Sequence, residues 1–262
     1  MGLKILKNYI TWISFPLLII LIWELFVKVD IFPNQSIAAP SDSLMELWKL
    51  IFTKYLWKHI GYSLYRLLIG FAFGAIFGIL LGWLVGYYRT WSKLLEPTIL
   101  TFIPVPPIAW IPFLIALMSL SDISKSTLIA IGVFNVLFIS TSEGVRNTDK
   151  KLLEMAFVFG KNQKQILYSI IFPSVLKYIL GNLRIAMALS FTLLLASEMI
   201  NASSGLGWLI MDARRFSRAE EMIVGIVVIG FLGKFLDFSI VKFSNYLLRW
   251  DTTLRNEKSM YV

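Results

Sequence analysis

"GFAFGAIFGILLGWLVG", residues 70–86, places glycines at 70, 74, 78, 82 and 86 in an otherwise apolar run. Four residues advance an α-helix by about 400°, so these glycines form one slowly winding stripe without side chains. In lipid, tight packing replaces the hydrophobic effect between helices, and such a stripe lets a second helix approach closely. The stretch therefore reads as a span in a compact membrane bundle. Aromatic residues at its two ends (Trp57, Tyr62 and Tyr65; Tyr87, Tyr88 and Trp91) fit interfacial belts.

The remainder of the chain has the same character. Of its 262 residues, 57% are hydrophobic and 16% are charged, and the mean hydropathy is +0.73. A soluble domain of this size carries about 25% charged residues. Long apolar runs recur from end to end, which predicts an all-α polytopic membrane protein with about six spans, at roughly 12–27, 65–88, 99–120, 127–141, 178–200 and 222–248. The third is interrupted by prolines and the fourth is short. Residues 1–36 open with a basic-then-apolar order but show no small-x-small cleavage site, so they read as a segment retaining the first span. The main membrane domain then covers 37–250, and 251–262 reads as a cytoplasmic tail.

Six spans put both termini on one side. If that side is cytoplasmic, the inner segments hold 14 Lys and Arg residues against 9 in the outer ones, the direction the positive-inside bias expects. The net charge of +9 thus belongs to the flanks of apolar runs in a lipid bilayer and not to a nucleic-acid partner. The chain has no cysteine, which excludes disulfides, thiolate metal sites and cysteine nucleophiles. A lone histidine, His59, reads as a satisfied surface residue, and no paired histidines supply metal ligands. The chain also lacks a G-x-x-x-x-G-K-[ST] loop, so energy for uphill transport must come from a partner or an ion gradient.

Several polar features fall at membrane depth. Pro104, Pro106 and Pro107 open the third span and delete backbone donors, as Pro112 does further on. Broken helix is tolerated there when protein covers it or water reaches it, so the segment can face a translocation path or serve packing alone. Arg184 and Glu198 both lie in the fifth span, about 21 Å apart along a helix, so each needs a partner elsewhere. Lys234 and Asp237 sit at i,i+3, a spacing that allows mutual neutralisation. Residues 202–216 are too short and polar to span, and form either a re-entrant segment or an outer-surface helix.

Between the fourth and fifth spans lies "NTDKKLLEMAFVFG", residues 147–160, which reads as a short helix. Asn147, Thr148 and Asp149 offer an N-cap and Gly160 a left-handed stop. Leu152, Leu153, Ala156 and Phe157 share a face, and a second amphipathic run leads to Pro173. Periodicity alone favours an interfacial helix lying on lipid.

The spacing Glu154-x-Ala156, three residues, Gly160, nine residues, Ile170-x-x-Pro173 resembles the EAA loop, E-A-A-x3-G-x9-I-x-L-P, of importer-type ABC transporter permeases. Met155 and Phe172 depart from that pattern. The similarity extends over about 37–250 and matches the branch handling nitrate, sulfonates, taurine, bicarbonate or thiamine-precursor pyrimidines. "MSLSDISK", residues 118–125, departs from it by lacking two glycines of an outer loop.

The resemblance implies the type I ABC importer permease (MetI-like) fold, with Glu154, Ala156, Gly160 and Pro173 coupling to a cytoplasmic ABC ATPase that binds ATP and Mg. It also implies a second permease copy or paralogue, an extracytoplasmic solute-binding protein and a bacterial inner-membrane location. Pro104, Pro106, Pro107, Arg184 and Glu198 become candidates for the translocation path. The chain itself would be no enzyme and would hold no cofactor. The rivals are an ion-gradient-driven secondary transporter using Arg184, Glu198 or Asp212, and a membrane-embedded enzyme.

Overall fold

The computed structural model describes residues 2–29 and 37–250, with side chains from residue 14 onward except that of Asn201. The expected link after the first span, 30–36, and the expected tail, 251–262, lie outside the described residues. All regular elements among the described residues are helical. The chain divides into two compact units, Met1–Tyr62 with Ala202–Gly230 and Ser63–Asn201 with Phe231–Val262.

In the first unit, α1 (Gly2–Lys28) contains the first expected span, and α2 (Pro40–Ile51) starts with proline at its first position, where the missing N–H is not needed. Glu24 of α1 ties the two together, accepting from the Ser41 backbone N–H at 3.0 Å and from its hydroxyl at 2.7 Å. The 202–216 segment forms a ten-residue helix, α10 (Leu206–Arg215), preceded by Gly205 at φ +114°. His59 is buried and not on the surface. Its Nδ1 accepts from the Gly205 N–H at 3.0 Å, and its ring stacks on Trp208. Arg218 bridges Asp212 and Glu221; burial opposes its charge, but the two carboxylates outweigh that and hold the guanidinium above its ordinary range.

The second unit is organised by the glycine stripe. Helix α3 (Lys54–Tyr87) lies against α6 (Asp122–Arg146) so closely that side chains would collide with backbone. A Cβ on Gly70 would lie 2.5 Å from the Ser126 carbonyl oxygen, on Gly74 2.5 Å from that of Ala130, and on Gly82 2.6 Å from that of Phe138. Both numberings advance by four together, so the two helices run parallel. Parallel neighbours require the intervening chain to recross the bundle, about 30 Å for twenty residues of helix.

Residues 88–121 do this as a broken span. Helix α4 (Arg89–Phe102) begins beside the end of α6, where Arg146 grips Glu96 at 2.5 Å and Ser92 at 3.1 Å. The chain then bends by 86° into a 3₁₀ turn (Pro107–Trp110) and α5 (Ile111–Met118). Ile111 and Leu114 pack with Leu67 and Leu128 near the start of α6. The third span therefore begins ten residues before the expected 99, and its break is sharper than a kink. The fourth span is not short either: Ser121 caps α6, which runs 25 residues.

Helix α9 (Phe172–Asn201) packs antiparallel on α6, with Ser140 donating to the Tyr178 carbonyl and Gly132 set against Leu189 and Leu193. Helix α11 (Ala219–Leu247) runs antiparallel to α9: Arg184 meets Asp237, and Lys177 lies over the Trp250 ring. Among the described residues, four helices are long and apolar enough to cross a membrane, five if the bent pair is counted as one span.

We expect Gly74→Val to lower the melting temperature in detergent by several degrees, because overpacking against backbone costs about 1–3 kcal/mol. Gly181→Ala, where a Cβ meets open space, should leave it unchanged. Equal melting of both variants would contradict the close approach of α3 and α6.

Candidate functional site

The loop between α6 and α9 folds as the local signals dictate. Asp149 is the residue that caps α7 (Lys150–Val158), its carboxylate accepting from the Lys151 N–H at 2.9 Å. At the other end Gly160 takes φ +69°, its N–H bonds to the Phe157 carbonyl, and the Lys161 N–H bonds to the Ala156 carbonyl, both at 3.0 Å. This is a Schellman closure, which a residue with a side chain adopts only under strain. The chain then re-enters helix at α8 (Gln163–Ile166), where Asn162 and Gln165 cap each other reciprocally.

The second amphipathic run is not a separate helix. Residues 163–200 are continuous, passing through a π turn at Leu167–Ile171 into α9. Pro173 is the second residue of α9. It cannot donate to the ladder and its ring crowds the carbonyl one turn earlier, which accounts for a widened turn just before it.

The faces of α7 differ from the expected pattern. Only Leu153 and Ala156 turn inward. Ala156 is 4% exposed and packs with Val145, Ile166, Ile171 and Val175, with Trp83 and Tyr87 of α3 alongside. Leu152 and Phe157, expected to share a face with Leu153 and Ala156, are exposed, as are Met155, Val158 and Phe159. Glu154 is also exposed. The short helix is thus seated by two side chains and presents an apolar edge that the other described residues leave bare. Exposed apolar patches of this kind mark interaction surfaces.

Residues 74–248 match the family model described as "Binding-protein-dependent transport system inner membrane component". This chain belongs to that family. A permease protein of Bacillus subtilis (strain 168), SsuC, named for aliphatic sulfonate transport, is 31% identical over 235 residues, covering 90% of this chain and 85% of its own. The taurine transport system permease protein TauC of Escherichia coli (strain K12) is 30% identical over 195 residues, 74% of this chain and 71% of its own. In fold, the chain resembles the crystal structure of an amino acid ABC transporter with histidines, at a TM-score of 0.61 and 13% identity, covering 78% of this chain and 98% of that one. The protein is a membrane-spanning permease subunit of an ABC importer, with the expected type I fold.

Other charged residues of the permease fall into two clusters. At the end of the second unit opposite α7, Arg66, counted by its sequence position among outer-segment cations, is 2% exposed. It donates to Glu198 at 2.7 Å and to Asp122 at 2.8 Å, and Ser63 donates to Glu198 as well. Lys125 reaches the Leu120 and Ser121 carbonyls and lies 3.8 Å from Asp122. Two cations and two carboxylates balance. Glu198 is fully enclosed, so it faces the bundle interior and lines no open path.

At mid-length of α9 and α11, Arg184 pairs in two-pronged fashion with Asp237, at 2.7 and 3.0 Å. Lys234 stands 3.6 Å from the same carboxylate with 79% of its side chain exposed, so the expected private Lys234–Asp237 pair is a secondary contact. The proline break flanks a cavity of about 770 Å³ whose walls include Phe73, Phe77, Phe102, Trp110 and Phe113. Pro104 and Pro106 are exposed beside it and Pro107 is half-buried.

Removing one partner of a buried pair leaves the other charge uncompensated, at a cost of about 3–5 kcal/mol. Glu198→Ala should accordingly destabilise the purified permease by at least about 3 kcal/mol in denaturant titration. Wild-type stability in that variant would show that the cluster is dispensable.

Proposed function

We propose that α7 is the docking element for a separate cytoplasmic ABC ATPase. On this reading the permease, paired with a second copy or a paralogue, passes a small anion delivered by an extracytoplasmic binding protein. The observation that carries this reading is the seating of α7: Leu153 and Ala156 hold it to the bundle while Leu152, Met155, Phe157, Val158 and Phe159 remain bare. A partner groove that accepts this edge can move α7, and α7 is packed on both α3 and α9. Glu154 would accept hydrogen bonds from that groove, Ala156 would fix the helix to its own bundle, and Gly160 would set the angle at which it projects. Pro173, next to the π turn, would give the joint with α9 its give.

ATP and Mg would be bound by the partner, since this sequence has no phosphate-cradling loop. The coupling end carries Arg146, Lys150, Lys151, Lys161 and Lys164, which favours the cytoplasmic side of a bacterial inner membrane. Trp250 lies at that same end beside Lys177, so the C-terminal residues would be cytoplasmic, and an even number of spans would return the N-terminus there too. The relatives named for aliphatic sulfonates and taurine favour a sulfonate-type anion as substrate. Pro104, Pro106, Pro107 and Arg184 are assigned to the walls of the path, and Glu198 to the ion cluster with Arg66 that joins α3 to α9.

The test is mild-detergent recovery of the tagged chain from its native membrane. A nucleotide-binding subunit should co-purify in equal amount with ATPase activity. Gly160→Asp should lose that subunit while the permease stays inserted, because strain at φ +69° and a new charge both disturb the closure of α7. Gly160→Asn, which tolerates a left-handed backbone, should retain most of it. Uptake by ATP-free vesicles driven by an ion gradient alone would overturn the assignment.

A further inference from the structure

Three charged side chains sit at mid-length of α9 and α11, and they face outward. Arg184 is 56% exposed, Lys234 79% and Asp237 27%. Counted along the helices, Lys234 is about 20 Å from either end of α11, near the centre of a hydrocarbon layer about 30 Å thick. Charges at such depth are costly against lipid, so this face meets water or polar partners. Of the exposed positions on α9 near Arg184, Gly181, Ala188 and Thr192 are small or polar, with open space above Gly181, while Ile185 is apolar; on α11, exposed Phe231, Phe235 and Phe238 flank Lys234, so the charges stand in an otherwise apolar surround. The other acidic residues of these two helices, Glu198, Glu220 and Glu221, lie two or more turns away. One carboxylate between two cations leaves the cluster with one unit of positive charge.

The surplus continues in one direction. Lys177 lies seven residues from Arg184 and Lys242 eight residues from Lys234, steps of about 10–12 Å toward the coupling end on both helices. Both are exposed. Since the helices are antiparallel, the two pairs form successive levels of positive charge on adjoining faces. From this we infer that Arg184 and Lys234, held in place by Asp237, form an anion-binding station midway along a water-filled path, with sulfonates or comparable small oxyanions as its ligands. Arg184 is fixed by the two-pronged pair, and Lys234, only 3.6 Å from Asp237, is the mobile cation free to follow a passing anion. This deepens the permease reading and rests on it.

The natural absence of cysteine makes a direct test possible. A single thiol is placed one turn from Arg184 by Ala188→Cys, in native membrane vesicles, with and without ATP plus vanadate. It is reacted with the anionic sulfonatoethyl and the cationic trimethylammonioethyl methanethiosulfonates. Modification is read as a mass shift on the purified chain. In at least one state both reagents should react, with the sulfonate favoured relative to a free thiol. Lys234→Gln should lower the anion-to-cation rate ratio about fivefold, the change expected for one unit charge at roughly 8 Å in water.

Reaction with neither reagent in either state would overturn the station, and so would a ratio untouched by both Lys234→Gln and Arg184→Gln. Modification by N-ethylmaleimide alone would place the face in lipid and overturn it too. ATPase recovery with the same tagged chain is scored in parallel. Loss of the ratio effect with the partner retained rejects only the station, whereas absence of the partner rejects the permease reading.

Discussion

The backbone contact between α3 and α6 is the constraint on which the second unit depends. Five glycines at four-residue intervals meet the carbonyls of Ser126, Ala130, Phe134, Phe138 and Ser142, also at four-residue intervals. No side chain fits between those backbones, so register and direction are fixed together. A one-residue slip would drive Phe71 or Phe73 into the carbonyl row. In lipid this contact has no hydrophobic driving force, and its stability comes from close packing along the whole seam. Once the two helices are parallel, the intervening residues must recross the bundle, and the proline break at 103–107 is how they do it.

The same constraint decides where the two ends of the unit place their chemistry. Helix α6 delivers Arg146 and then the α7 loop at one end, while its first turn brings Asp122 and Lys125 to Arg66 and Glu198 at the other. The end that carries α7 is partly apolar at its surface; the opposite end holds balanced charge, enclosed at Arg66, Lys125 and Glu198 and half-open at Asp122. An enclosed ion cluster contributes little net stability compared with an apolar core, yet it is costly to break one partner at a time. Such an arrangement favours discrete packings of α3, α6 and α9 over gradual deformation.

How far the sequence could be read follows the range of the interactions. The ends of α7 were legible because capping is local: Asp149 and Gly160 act within three or four residues of themselves. The glycine stripe was legible as an interface, though not its partner, because α6 carries no complementary small-residue signature. The local contact of Lys234 with Asp237 was legible from its i,i+3 spacing, but long-range charge partners were not. Glu198 meets Arg66 across 132 residues and Arg184 meets Asp237 across 53, and helical spacing only said that partners were needed. His59 was misplaced for a related reason, since its partner is a backbone N–H at Gly205, which leaves no mark in composition.

The division of the apolar face of α7 was not legible for a different reason. Helical spacing groups Leu152, Leu153, Ala156 and Phe157 on one face. It does not say which of them the chain's own bundle covers and which are left for lipid or a partner. Two inward side chains suffice to seat a nine-residue helix because the closures at Asp149 and Gly160 already fix its ends. The remaining apolar positions are then free to serve a partner. Since Ala156 packs beside Trp83 of α3 and Val175 of α9, displacement of α7 is felt by two helices that flank α6 from different sides. A rigid seam between α3 and α6 and a yielding π turn at the base of α9 respond unequally to the same push. On the docking reading, that inequality would turn a small movement at the loop into a rearrangement of the spans.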